Sequence, residues 1–225
     1  MSKVDTTLRC EHKYVIGASG SGKSYHVKEL IKALRRVLIW DADDEYGEVP
    51  NVIKVQTPSE LMALIESEQD AIIRYVPNSL TPKLVEKQFD FVSLAAFVWG
   101  NCAYVAEEIA DVTTPAKAVG GWGKVLRRGR KRGVTVFPVT QRPAEADKTV
   151  FTQVAKIRAG RLDGEGDIAR VANNMRVPKE MLSQLGELEY IELDRRTGQL
   201  IAGKKQRYVT LRKDWNSPLT MTFKA

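Results

Sequence analysis

Cysteine is scarce in this chain. Cys10 and Cys102 are the only two among 225 residues, too few for a disulfide framework, and they fit a reducing, intracellular setting. The N-terminus lacks the apolar core of a secretory leader, so none is expected. Long hydrophobic runs are also missing. The stretch from Phe91 to Ala106 carries no charged side chain, but Ser93, Gly100 and Asn101 interrupt it. It is also shorter than the roughly 18 to 20 residues of a spanning helix. It reads as the end of a buried helix, a turn at Gly100-Asn101 and a buried strand, so no transmembrane segment is expected. Internal repeats and low-complexity linkers are absent, which predicts one domain over 1–225. Its core would cover about 12–175, with a C-terminal helix and β-hairpin extension over about 176–225. Acidic side chains are outnumbered, 28 against 35 basic ones, giving a net charge of +7 and a pI near 9.4. An acidic partner fits that balance, although charge alone does not name it.

Hydrophobic residues make up 43% of the chain and charged residues 28%, the balance of a globular protein with a sizeable core. Short apolar runs alternate with helical patterns, as in a mostly parallel α/β sheet flanked by crossover helices. Strands are predicted at His12–Ile16, Val37–Asp41, Val52–Val55, Ala71–Val76, Cys102–Ala106, Val134–Thr140 and Ile157–Arg161. Helices are predicted at Lys23–Arg35, Ser59–Glu66, Pro82–Trp99, Gly121–Arg132, Gly166–Asn173 and Pro178–Gln184. The tail reads as a hairpin, Glu189–Leu193 and Gln199–Ala202, with a last strand near Tyr208–Leu211.

The first strand runs directly into Gly17-Ala18-Ser19-Gly20-Ser21-Gly22-Lys23-Ser24, followed by Tyr25 and a helical pattern. This is the phosphate-binding loop GxxxxGK[ST] in its strand–loop–helix setting, and it predicts ATP as ligand. Its glycines let the loop curl so that backbone N–H groups face phosphate oxygens. Lys23 would reach the β and γ phosphates, and the Ser24 hydroxyl would hold Mg²⁺. A dinucleotide fold or a flexible Ser-Gly loop leaves Lys-Ser after the last glycine unexplained.

Two further strand ends are polar. Cys102–Ala106 ends in Glu107-Glu108, where the first carboxylate would serve the metal and the second would orient or deprotonate water. A solvated acidic pair at a helix start is the bland alternative. Val134–Thr140 ends in Gln141, placed to hydrogen-bond the γ-phosphate or the attacking water. A turn built around Pro143 would explain the same residues. Between these strands lies Lys124–Arg132, and from Lys117 to Arg161 twelve basic side chains face two acidic ones. That excess suits an arginine inserted into a neighbour's ATP site, or a surface for a nucleic-acid backbone; a solvated helix face is the plain alternative.

These motifs together resemble the FtsK–HerA superfamily of DNA-pumping ATPases. The phosphate loop is joined by Asp41 with Asp43-Asp44-Glu45-Tyr46-Gly47-Glu48, by Ala106-Glu107-Glu108-Ile109-Ala110-Asp111, and by Thr140-Gln141-Arg142-Pro143 after an Arg-rich helix. The resemblance runs from about residue 12 to residue 161. It implies a RecA-like core, a homo-oligomeric ring of six subunits and sequence-independent binding of double-stranded DNA. It also implies Lys23 and Ser24 as the Walker A pair, Glu107 as the metal acid, Glu108 as the catalytic acid and Gln141 as the sensor. An arginine finger acting in trans would fall among Arg127, Arg128, Arg130 and Arg132, with Arg128 or Arg130 favoured. Glu-Glu in place of the usual Asp-Glu leaves open whether Glu107 meets Mg²⁺ directly or through water. A bare core of this length resembles the genome-packaging ATPases of tailless icosahedral viruses with an internal membrane. Capsid or membrane-portal proteins would then be partners, and the host cytoplasm and the virion packaging vertex the places of action. Two alternatives stand beside this: a plasmid-transfer or filamentous-phage assembly ATPase of the same superfamily, and a small-molecule or nucleotide kinase.

Overall fold

The computed structural model describes residues 4–67, 69–205 and 207–220; the outermost ends of the expected domain, 1–3 and 221–225, lie outside them. The elements follow the predicted alternation. They are β1 (Lys13–Ile16), α1 (Lys23–Ile31), β2 (Val37–Trp40), β3 (Val52–Val55), α2 (Pro58–Glu66), β4 (Ile72–Tyr75), α3 (Pro82–Trp99), β5 (Ala103–Ala106) and α4 (Gly120–Arg128). Then come β6 (Thr135–Thr140), α5 (Thr149–Gln153), β7 (Lys156–Gly160), α6 (Glu165–Met175), α7 (Glu180–Ser183), β8 (Glu189–Asp194), β9 (Leu200–Lys204) and β10 (Arg207–Arg212). The short helix α5 has no forerunner in the sequence pattern. The helix expected over Gly121–Arg132 is divided: α4 stops at Arg128, and Gly129–Arg132 tighten into a 3₁₀ turn. Gly129 is a poor helix residue, and an added Cβ there would crowd Val125 and Val134.

Among the described residues the strands form one ten-stranded sheet in the order β10-β9-β8-β7-β1-β6-β5-β2-β4-β3. The first seven strands in chain order run parallel, and β8, β9 and β10 extend the sheet as an antiparallel meander from β7. Helices flank the sheet, so the α/β class holds. Pro138, in a central strand, has no N–H to give the ladder. It falls where the pairing of β6 with β5 ends, Ala106 opposite Pro138, and pairing with β1 starts at Val139.

The two faces of the sheet are covered unequally. One bears α2 to α7, whose Leu61, Phe89, Trp122, Phe151, Val171 and Leu182 join the larger apolar cluster. The other bears α1, through Val27 and Ile31, and the loop carrying Tyr46 and Val49. The uncharged run ends as expected: α3 stops at Trp99, Gly100 turns at φ 64°, and buried β5 follows. No helix among the described residues is long and apolar enough to cross a membrane.

His12 pins the edge of this core. Its ring is buried, and its Nδ1 accepts the Val136 N–H at 3.0 Å, joining the entrance of β1 to β6. Burial lowers the imidazole from its ordinary value to about 4. The unfolded chain therefore binds a proton that the folded chain refuses. Stability is full above about pH 6.5 and is lost as the pH falls toward 4, by about 3 kcal/mol. His12→Asn, whose side-chain oxygen can take over as acceptor, should remove that much acid sensitivity in urea unfolding at pH 7 and pH 4. An unchanged difference between the two pH values would exclude His12 as its source.

Candidate active site

Four parallel strands lie side by side in the order β1, β6, β5, β2, so their carboxyl ends open on one crevice. Each tip supplies polar groups to it. From β1 comes the glycine loop, from β6 Gln141, from β5 Glu107 and Glu108, and from β2 Asp41, Asp43 and Glu45. Together with Ser19, Gly20, Gly22, Lys23, Ser24 and Tyr25 they line a cavity of about 250 Å³. The predicted strand-tip residues Glu107, Glu108 and Gln141 all reach this cavity.

The loop is shaped by its glycines. Gly22 occupies the position before α1 at φ 87°, a left-handed conformation that side chains disfavour. An added Cβ on Gly17 would collide with the Ser21 side chain. No side chain caps α1, so its leading N–H groups and positive dipole end are left for an anion. The Gly17 and Ala18 N–H groups are engaged, by Thr140 O at 3.2 Å and Arg161 O at 2.7 Å. Ser21 does not line the cavity either. The predicted cradle thus divides: Gly17, Ala18 and Ser21 shape the loop, while Ser19, Gly20 and Gly22 to Tyr25 form the wall.

The charged groups are held by their own chain. Lys23 Nζ donates to Ala18 O at 3.2 Å, and Ser24 Oγ donates to Glu45 Oε2 at 2.9 Å. Burial pulls the Lys23 ammonium below its ordinary pKa, against the opposing pull of Glu108, Glu107 and Glu45. Glu108 is buried, and its Oε1 accepts from Thr140 Oγ1 at 2.8 Å and from the Gln141 N–H at 3.1 Å. Its backbone lies at φ 39°, unusual for a side-chain-bearing residue and frequent at functional sites. The Tyr46 hydroxyl donates to Glu107 Oε1. Burial raises the Glu107 carboxyl to about 7, with Glu45 and Glu108 adding to the rise and Tyr46 and Lys23 opposing it.

The oxygen donors are of the hard type that suits Mg²⁺. Among the described residues no three acidic, His or Cys side chains converge as a ready-made metal cage. Ser24 and Glu107 would therefore share the ion with phosphate oxygens and water, the usual arrangement for this cation.

Asp41, Asp43 and Glu45 join the site without having been assigned to it from the sequence pattern. Asp41 accepts the backbone N–H groups of Glu45 at 2.8 Å and Tyr46 at 3.1 Å. It thereby folds the loop that carries both side chains into the cavity. The strand-tip rule that finds Glu107 would also find Asp41. Arg128 and Arg130 lie elsewhere. They sit before the start of β6, at the far end of the strand from Gln141. Arg130 donates to Leu8 O at 2.7 Å. Arg128 is exposed and makes no ion pair among the described residues.

Comparison with known proteins fits this geometry. A family model described as the central domain of helicase HerA matches residues 3–100. Protein P9 of Pseudoalteromonas phage PM2 is 30% identical over 190 residues, covering 82% of this chain and 84% of that protein. The chain belongs to the FtsK–HerA superfamily. Solved structures share the fold of this FtsK–HerA chain at low identity. The DNA-packaging ATPase B204 of Sulfolobus turreted icosahedral virus is 18% identical with a TM-score of 0.69, covering 88% of this chain and 98% of that one. The genome-packaging NTPase B204 of Sulfolobus turreted icosahedral virus 2, in complex with ATP-gammaS, is 16% identical with a TM-score of 0.69 and the same coverage. VirB4 of Thermoanaerobacter pseudethanolicus is 12% identical with a TM-score of 0.54, covering 94% and 91%.

A proton on Glu107 competes with a metal ion for the same oxygens. Mg²⁺-dependent nucleotide binding should therefore strengthen as the pH rises through about 7. Tyr46→Phe removes a hydrogen bond to the charged carboxylate and should move that midpoint up by about one unit. Titration of fluorescent-nucleotide binding from pH 6 to 9 reads it, and an unmoved midpoint would contradict the role given to Tyr46.

Proposed function

We propose that this chain is an ATP-hydrolysing DNA translocase that packages a double-stranded viral genome. The observation that carries the hydrolytic part is Glu108, buried and locked by Thr140 and Gln141 across the cavity from Lys23. A carboxylate fixed there can orient and deprotonate water for attack on the γ-phosphate. Lys23 and the N–H groups at the start of α1 would hold the β and γ phosphates after Lys23 releases Ala18 O. Mg²⁺ held by Ser24 and Glu107 would supply charge neutralisation at the same oxygens. Gln141 shares its backbone N–H with Glu108, so loss of the γ-phosphate is transmitted to the strand tip of β6. Superfamily membership and the fold shared with the packaging NTPases support the packaging reading.

One domain carries these steps, the meander β8–β10 being its extension. It would work as a ring of six, with Arg128 reaching the neighbouring subunit's γ-phosphate. Arg128 is the better finger of the two favoured, because Arg130 is committed to Leu8 O. DNA would be gripped through its phosphates without base reading. Capsid or portal proteins would seat the ring at a packaging vertex assembled in the host cytoplasm. A second reading within the superfamily is a plasmid-transfer or filamentous-phage assembly ATPase acting on single-stranded DNA or a secretion channel. Stimulation of hydrolysis by duplex rather than single-stranded DNA separates the two, and hydrolysis without an acceptor excludes a kinase.

Lys23→Ala should abolish nucleotide binding. Glu108→Gln should keep it while lowering turnover by about 10² to 10⁴. Calorimetry and phosphate release check both, and undiminished turnover in Glu108→Gln would move the water-activating role elsewhere. Mixing Arg128→Ala subunits with Lys23→Ala subunits should change activity beyond simple dilution; plain dilution at all ratios would exclude Arg128 as a trans finger.

A further inference from the structure

Away from the nucleotide cavity the basic side chains fall into two sets. Many are neutralised by a carboxylate: Lys13 by Glu192, Arg142 by Asp111 and Glu145, Arg161 by Asp163, and Arg196 by Glu11. Others are not, and six of these lie together. A cavity of about 550 Å³ between α5, α6 and the segment from Lys117 to Arg127 is walled by Lys117, Arg127, Lys148 and Arg170, with no carboxylate in its lining. Asn174 belongs to this wall and also to that of a second cavity of about 210 Å³, shared with Arg176, Arg195 and Trp215, again without a carboxylate. The two are neighbours that meet at Asn174, two parts of one basic trough. None of its six cations makes an ion pair among the described residues.

The trough is built rather than left over. Trp215 is flanked by two guanidiniums, Arg176 at 5.1 Å and Arg212 at 4.5 Å from its ring. Arg212 is 8% exposed, and its Nη2 is buried with no hydrogen-bond partner, as is Arg170 Nε. Arg127 is aimed by a bond to Ala118 O at 2.8 Å, and Arg195 by one to Phe151 O. Crowded like charges with no counter-charge raise the energy of the folded chain. A polyanion laid along the trough would relieve that cost. Its two joined cavities and spaced cations suit a chain of phosphates better than one phosphate ion.

We propose that this trough is the binding site for the phosphodiester backbone of double-stranded DNA. It deepens the motor reading above and rests on it. Residues of the nucleotide cavity take no part. The loop from Gln141 to Lys148 nevertheless joins the two, with one end lining the nucleotide cavity and the other lining the trough. A change at the γ-phosphate therefore has a short covalent route to the DNA.

The test is fluorescence anisotropy with a labelled duplex of random sequence over a salt series, on the full chain. Lys117→Gln, Lys148→Gln and Arg176→Asn, combined, should weaken binding at least tenfold. Together they should lower the slope of log affinity against log salt by about 3, roughly 0.9 for each DNA phosphate that is no longer neutralised. Basal ATP hydrolysis should persist while its stimulation by duplex disappears. A control with the same charge change, Lys32→Gln, Lys83→Gln and Lys87→Gln, should bind as wild type. Lys148→Gln alone, the milder variant, should lower the slope by about 1. Wild-type affinity in the combined variant would overturn the site and leave the motor reading standing. So would equal losses in the control, a loss confined to single-stranded DNA, or a broken oligomer with an unchanged salt slope. A wild-type chain that hydrolyses ATP but binds no DNA would overturn the motor reading itself.

Discussion

The hydrogen bonds that lock Glu108 to Thr140 and to the Gln141 N–H are the joint on which the site depends. They tie the tip of β5 to the tip of β6, and β6 is the strand that separates β5 from β1 and its glycine loop. The Asp111 N–H donates to Glu108 O at 3.0 Å and holds the backbone there at φ 39°, but only the bonds to Thr140 and Gln141 fix the carboxylate. The sheet order alone places four strand tips together. The Glu108 joint turns that proximity into a fixed geometry facing Lys23.

The same crevice collects more negative charge than Lys23 neutralises, even with Asp41 paired to Arg74 at 3.2 Å. Asp41, Asp43, Glu45, Glu107 and Glu108 line it against Lys23. Burial is the main cause of the rise of Glu107 to about 7, and the neighbouring Glu45 and Glu108 add to it. Internal contacts hold the groups meanwhile: Ser24 on Glu45, Tyr46 on Glu107, and Lys23 on Ala18 O. These are the contacts that a magnesium nucleotide would replace, because it brings both a cation for the carboxylates and an anion for the lysine. The basic trough carries the opposite imbalance, and the loop from Gln141 to Lys148 links the two.

Most of the architecture is legible in the sequence because its signals are local. Parallel strands buried on both faces read as apolar runs, and Gly22-Lys23-Ser24 after such a run has few other meanings. The polar tips at Glu107, Glu108 and Gln141 can be placed together because strand ends converge in this class of sheet. Asp41 stands at a strand tip where the same rule would find it, but its loop-folding bonds to the Glu45 and Tyr46 N–H groups leave no trace in the sequence. Helix α5 goes unseen because five residues are too few for a 3.6-residue pattern. The division of α4 turns on Gly129, whose crowding against Val134 is a tertiary contact. The trough is only half visible: the Lys117–Arg161 excess points to it, but Arg176 at the end of α6, Arg195 in the β8–β9 turn and Trp215 after β10 lie beyond that stretch.

The most direct measurement is a crystal structure of the chain with Mg²⁺ and a non-hydrolysable ATP analogue. The phosphates should lie in the crevice at the start of α1, with Lys23 Nζ moved from Ala18 O onto them. Ser24 Oγ should have left Glu45, and Glu108 should still be held by Thr140. An analogue bound elsewhere, or a Glu108 turned away from the terminal phosphate, would contradict the joint proposed for this site.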